Sequence, residues 1–153
     1  MELPPTVISE IPEAECREIL QRASLGRLGC ALDNQPYVVP IYFVCEPGCI
    51  YVFSTYGQKI EWMRANPRVC LQVDEVTGAS QWASVIANGR FQELVEPQFS
   101  EEREHARELL EARQRWWLTA LAERRIRVPD GQVAPLFFAI RIDSVTGIRS
   151  TSA

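Results

Sequence analysis

The chain has 153 residues, of which 46% are apolar and 24% charged, and its 16 basic against 20 acidic side chains leave a formal net charge of −4. These values fit a soluble globular protein made of one domain, residues 1–153, long enough to build a core without disulfide staples. They exclude intrinsic disorder, a membrane span (no apolar run is long enough) and the basic field of a general nucleic-acid binder.

Met1 to Glu10 has neither a basic nor an apolar leader, so the expected location is the cytoplasm. Pro12-Glu13-Ala14-Glu15 opens a first helix, with acids at its positive end. Ile11, Cys16, Ile19, Leu20 and Ala23 give it an apolar stripe at helical spacing. Leu25 to Leu32 is short and punctuated by glycine, and Asp33-Asn34-Gln35-Pro36 is a turn cluster. Tyr37 to Cys45 reads as a strand, Glu46-Pro47-Gly48 as a turn, and Cys49 to Ser54 as the returning strand of a hairpin. A short helix over Gln58 to Ala65 follows Gly57 and is stopped by Asn66-Pro67. Val69 to Val76 and Trp82 to Leu94 read as strands, the second with a bulge at Gly89. Ser100 is expected to cap a long helix running to about Arg125. Its buried face would come from Ala106, Leu109, Leu110, Trp117, Ala120 and Leu121, with Glu111 and Arg115 paired outside it. Leu136 to Ile142 is the last clear strand, with a further piece through Ile148. About six strands in hairpins with three helices predict a mainly β, α+β fold, a small antiparallel barrel flanked by helices.

Cys16, Cys30, Cys45, Cys49 and Cys70 are odd in number and lack C-x-x-C spacing, and His105 is the only histidine, so no metal site is expected. Cys45 and Cys49 are expected near each other across the hairpin, and all five thiols are expected free. Trp116 and Trp117 fit core packing or the lining of a pocket. Arg124, Arg125 and Arg127 fit compensation of a helix dipole.

The stretch richest in chemistry is Tyr51 to Met63. A strand ends in two hydroxyl residues, a glycine turn follows, and a helix begins with Lys59 in its first turn. The first N–H groups of a helix lack internal partners and lie at its positive end, which together with Lys59, Ser54 and Thr55 suits a phosphate. A plain strand–turn–helix with a solvated lysine fits the same residues.

Phe53-Ser54-Thr55, Tyr56-Gly57-Gln58-Lys59 and Asn66-Pro67 occur in an order that resembles the flavin-binding split-barrel superfamily of the pyridoxamine phosphate oxidases. Gly26 to Ala31, Pro36 to Phe43 and Trp82 to Arg90 are similar to its nitroimidazole-resistance-type branch. The resemblance implies a six-stranded antiparallel split barrel of Greek-key type, with FMN bound at a homodimer interface and a small-molecule substrate, and with no nucleic acid and no membrane. Pro40, Ile41, Tyr42 and Phe43 would line the flavin ring, largely through backbone groups. Ser54 and Thr55 would lie near the ribityl–phosphate end, Gln58 and Lys59 at the phosphate, and Ser84 would add a hydroxyl. It further implies an FMN-dependent oxidoreductase that draws on a reduced nicotinamide. The alternative is a non-catalytic flavin- or haem-binding carrier or sensor, and a deazaflavin in place of FMN also fits. The chain departs from the branch in having Ser54 where a histidine is usual. It departs from the oxidases proper in having Arg141 without a companion histidine. No catalytic acid is expected, and no catalytic residue is assigned.

Overall fold

A computed structural model describes residues 5–113 and 135–152. Asp33 and Asn34 both take positive φ, 49° and 64°, the turn geometry that matches strand twist. They close a hairpin between β2 (Leu25–Leu32) and β3 (Gln35–Tyr42). Gly48, at φ 79°, closes a second between β4 (Val44–Glu46) and β5 (Cys49–Thr55). The remaining strands are β1 (Thr6–Glu10), β6 (Arg68–Gly78), β7 (Gln81–Glu93) and β8 (Pro135–Ser152). Three helices, α1 (Glu13–Arg22), α2 (Gln58–Ala65) and α3 (Ser100–Arg113), lie between them.

All strand pairings are antiparallel, and the sheet runs β3-β2-β6-β7-β8-β5-β4, with β1 added to β8. The 18-residue β8 pairs with β7 along one edge and with β5 and then β1 along the other. One residue, Phe43, joins β3 to β4, the two ends of that path. Its N–H leaves the ladder and donates to the Ser24 carbonyl at 3.0 Å, and its side chain is buried. The sheet therefore rolls on itself around a core that includes Leu28, Ile41, Ile50, Val52, Leu71, Val85, Phe138 and Ile140. Ile19 and Leu20 of α1 and Ile60 and Met63 of α2 belong to the same core. A second cluster, with Tyr51, Phe137, Ala106 and Leu110, packs α3 on the outer side of β5 and β8.

The antiparallel split barrel with flanking helices is as expected, but among the described residues it has eight strands instead of six. Two local causes account for the difference. The segment Thr6–Glu10 is exposed at every position, so it carries no burial pattern. The expected strand from Tyr37 to Cys45 is cut at Phe43 by the turn of that residue into the core. One further expectation is corrected. Ser100 is the first residue of α3 and not the capping residue before it, and its hydroxyl donates back to the Pro97 carbonyl at 3.1 Å. Cys45 and Cys49 are near enough to act on each other electrostatically, as expected, while Cys45 packs against the barrel core and Cys49 against the α3 cluster, so they occupy opposite faces of the hairpin. All five thiols are free. The bulge at Gly89 is present: the β7–β8 register shifts between Asn88 and Gly89, and a Cβ there would stand 2.3 Å from the Arg141 carbonyl oxygen. Glu111 pairs with Arg107 at 2.8 Å. Arg115, Trp116, Trp117, Ala120, Leu121, Arg124, Arg125 and Arg127 lie outside the described residues. Among the described residues, no helix is long and apolar enough to cross a membrane.

Candidate functional site

The β5–α2 corner forms as its residues dictate. Gly57 is the N-cap of α2, and no side chain caps the helix. The Ile60 and Glu61 N–H groups both turn back to the Gly57 carbonyl, at 3.1 and 3.2 Å. Among the described residues, a Cβ on Gly57 would meet nothing within 4 Å, so the turn is open on that side. Lys59 stands in the first turn, close enough to Cys30 to favour its thiolate, although burial outweighs that pull and raises the Cys30 thiol overall. Ser54 is buried and donates to the Thr55 carbonyl at 3.1 Å, which leaves its lone pairs for a ligand. Tyr56 donates to Glu61, and the Arg64 guanidinium lies 5.6 Å from the centre of the Tyr56 ring. An uncapped helix end and an ammonium form a donor set that suits a phosphate.

On β3, the side chains alternate as a pleated strand requires. Ile41 and Phe43 point into the core, while Pro40 and Tyr42 stand on the outer face. Ile41 and Phe43 thus offer a ligand only backbone. Ser84 stands on β7, three strands along the sheet from Pro40, a separation of roughly 14 Å at ordinary strand spacing.

Around Ser84 lies a polar group that the sequence does not reveal. Gln72 Nε2 donates to Ser84 Oγ at 3.1 Å and to Asp74 Oδ2 at 3.4 Å. Arg27 Nη1 donates to Asp74 Oδ2 at 3.2 Å and reaches Gln72 Oε1 at 3.5 Å. The group is framed by exposed apolar side chains, Leu25, Val38, Tyr42, Ile86 and Ile148. The available signal was the polar identity of alternate positions 72 and 74 on a strand whose other face is apolar.

His105 is on α3, with Nε2 2.7 Å from Glu46 Oε1 at the hairpin. Among the described residues, no group of three or more His, Cys, Asp and Glu side chains could hold a metal ion.

The pyridoxamine 5'-phosphate oxidase family profile matches residues 12–149. An uncharacterised protein of Rhizobium meliloti is 41% identical over 134 residues, covering 87% of this chain and 89% of that protein. A crystal structure described as a FAD-binding protein of Mesorhizobium loti is 36% identical, covers 97% of this chain and 100% of its own, and superposes with a TM-score of 0.78. A 5-nitroimidazole antibiotic resistance protein of Bacteroides thetaiotaomicron, described as putative, shares the fold at 20% identity and a TM-score of 0.67, over 98% of this chain and 95% of its own. The barrel, the β5–α2 corner and a family match spanning most of the sequence agree: this chain belongs to the pyridoxamine 5'-phosphate oxidase family.

Proposed function

We propose that this protein binds a flavin, FMN, between two copies of the chain, and that it is an oxidoreductase reducing a small organic substrate with electrons from a reduced nicotinamide. The observation that carries this reading is the open, uncapped start of α2 with Lys59 in its first turn, in a chain 36% identical to a protein described as FAD-binding. Lys59 and the helix start hold the phosphate, and Ser54 and Thr55 accept from the ribityl hydroxyls. The outer face of β3 at Pro40 and Tyr42 supplies an apolar wall for the ring. The bound flavin supplies the redox chemistry. The second copy is called for by the exposed apolar side chains beside Ser84, which a partner's sheet would cover.

The Mesorhizobium relative supports FAD as a second reading, in which the same corner holds the phosphate nearer the ribityl chain. The test is the absorbance spectrum of the purified protein, with mass analysis of what it releases on denaturation. A flavin spectrum and a mass matching FMN support the proposal, and the mass of FAD selects the second reading. A spectrum without flavin, together with apoprotein that takes up neither FMN nor FAD, overturns both. Oxidation of a reduced nicotinamide by the flavin-loaded protein separates an enzyme from a carrier.

A further inference from the structure

The amide of Gln72 has one favourable orientation. Arg27 has only donors to offer, and the Asp74 carboxylate only acceptors. Turning the amide over would set its NH2 against the guanidinium and its oxygen against the carboxylate. Gln72 therefore keeps Oε1 toward Arg27 and Nε2 toward Asp74 and Ser84. An NH2 group only donates, so Ser84 Oγ is an acceptor in this bond. The serine proton must then point to a third group. Among the described residues, Ser84 Oγ has no hydrogen bond to a protein acceptor.

We propose that Gln72, its amide held by Arg27 and Asp74, is a positioning residue that makes the Ser84 hydroxyl a donor toward an acceptor atom of the bound flavin. This rests on the flavin reading above, extended to the expected place of Ser84 at the flavin, and it adds a direction to the hydroxyl: the protein presents a proton there, not a lone pair. Gln72 touches no flavin atom itself and acts through Ser84.

The experiment compares wild type, Gln72→Glu, Ser84→Ala, Ser84→Thr and the double variant Gln72→Glu/Ser84→Ala, each as apoprotein titrated with FMN and with FAD. At neutral pH the new carboxylate in Gln72→Glu accepts the serine proton instead of donating to the oxygen, so it reverses the bond. Gln72→Glu and Ser84→Ala should each weaken flavin binding about three- to tenfold and shift the visible absorption of the bound flavin in the same direction. Ser84→Thr, which keeps the hydroxyl, should stay within about twofold of wild type. The double variant should be no weaker than the worse single, because both changes remove one interaction. Unchanged affinity and spectrum in Gln72→Glu, with wild type binding flavin normally, would overturn this inference and leave the flavin reading intact. Additive losses in the double variant would also overturn it. Wild-type apoprotein that takes up neither flavin would overturn the flavin reading, and this inference with it.

Discussion

Arg141 and Glu102 form a two-pronged ion pair that fastens α3 to β8: Nη1 to Oε2 at 2.5 Å and Nη2 to Oε1 at 2.8 Å. The Tyr51 hydroxyl donates to the same Oε2 at 2.8 Å. Arg141 holds the Glu102 carboxyl below its ordinary range, although partial burial pulls the other way. Burial, followed by the bond to Glu102, raises the Tyr51 phenol. The bridge is half-buried, so it is screened less than a surface pair.

The pH dependence follows from the direction of the Glu102 shift. A depressed carboxyl contributes stability above its unfolded value, near 4.3, and that contribution is lost as pH falls through the folded value. Glu102→Gln should lower unfolding free energy at neutral pH by about 1–3 kcal/mol. It should also flatten the acid side of the stability profile. Urea unfolding between neutral pH and about pH 3 checks both. A variant profile parallel to wild type would place the acid sensitivity in other carboxylates.

Lys59→Ala removes the full positive charge from the start of α2. Loss of one charge-assisted contact costs about 1.5–3 kcal/mol, so FMN affinity should fall at least roughly tenfold. Titration of apoprotein by fluorescence quenching measures it. Unchanged affinity would move the phosphate elsewhere.

The wild-type chain should sediment as a dimer at micromolar concentration. Ile86 and Val38 are exposed in the single copy, at 39% and 65%. Ile86→Asp and Val38→Asp should therefore leave the isolated fold within about 0.5 kcal/mol while weakening the dimer. A wild-type monomer, or dimers unaffected by either change, would count against the face as the interface.

Thiol titration of the denatured protein without reductant should count five free cysteines. The Cys45 thiol, pushed up to about 11 chiefly by burial, should react slowly in the folded state. A count of three would require one bridge, and the opposite-face placement of Cys45 and Cys49 argues that it would not join those two.

Flavin reduction by a reduced nicotinamide should persist in His105→Ala. The imidazole is engaged with Glu46 on the α3 side of the hairpin, and a positioned acid or base is worth about 10²–10⁴-fold. A hundredfold loss with flavin still bound would place α3 at the reaction centre.

The sequence foretold most where punctuation is strong. Gly57 before α2 and Asn66-Pro67 after it bound the helix at Gln58 and Ala65, the residues the structure shows. The buried stripe of α1 was equally legible, because Cys16, Ile19 and Leu20 repeat at helical spacing. β1 was not, since a strand exposed at every position leaves no alternation to read. Nor was the Arg27–Gln72–Asp74–Ser84 group. Its members come from β2, β6 and β7, and only cross-strand register places them together: Arg27 opposite Gln72, and Asp74 opposite Ser84. The break at Phe43 was hidden for a different reason. An aromatic residue among β-formers looks like strand, and only the Ser24 carbonyl that claims its N–H shows otherwise.

The placement of β8 sets the order in which a growing chain can finish its sheet. β1, β5 and β7 all pair with this one strand, yet it is synthesised after them. Val7 waits for Thr151, and Ile50 for Ile140. While the chain is on the ribosome, the β2–β3, β4–β5 and β6–β7 hairpins can form locally, but β5 and β7 keep bare edges, and such edges recruit other strands. Emergence of Pro135 to Ser152 is then the event that joins the β3-β2-β6-β7 strands to the β4–β5 hairpin and closes one barrel. A ribosome-stalled nascent chain ending before Pro135 should be protease-sensitive throughout β5, with protection arriving in one step once the full length of β8 has cleared the exit tunnel.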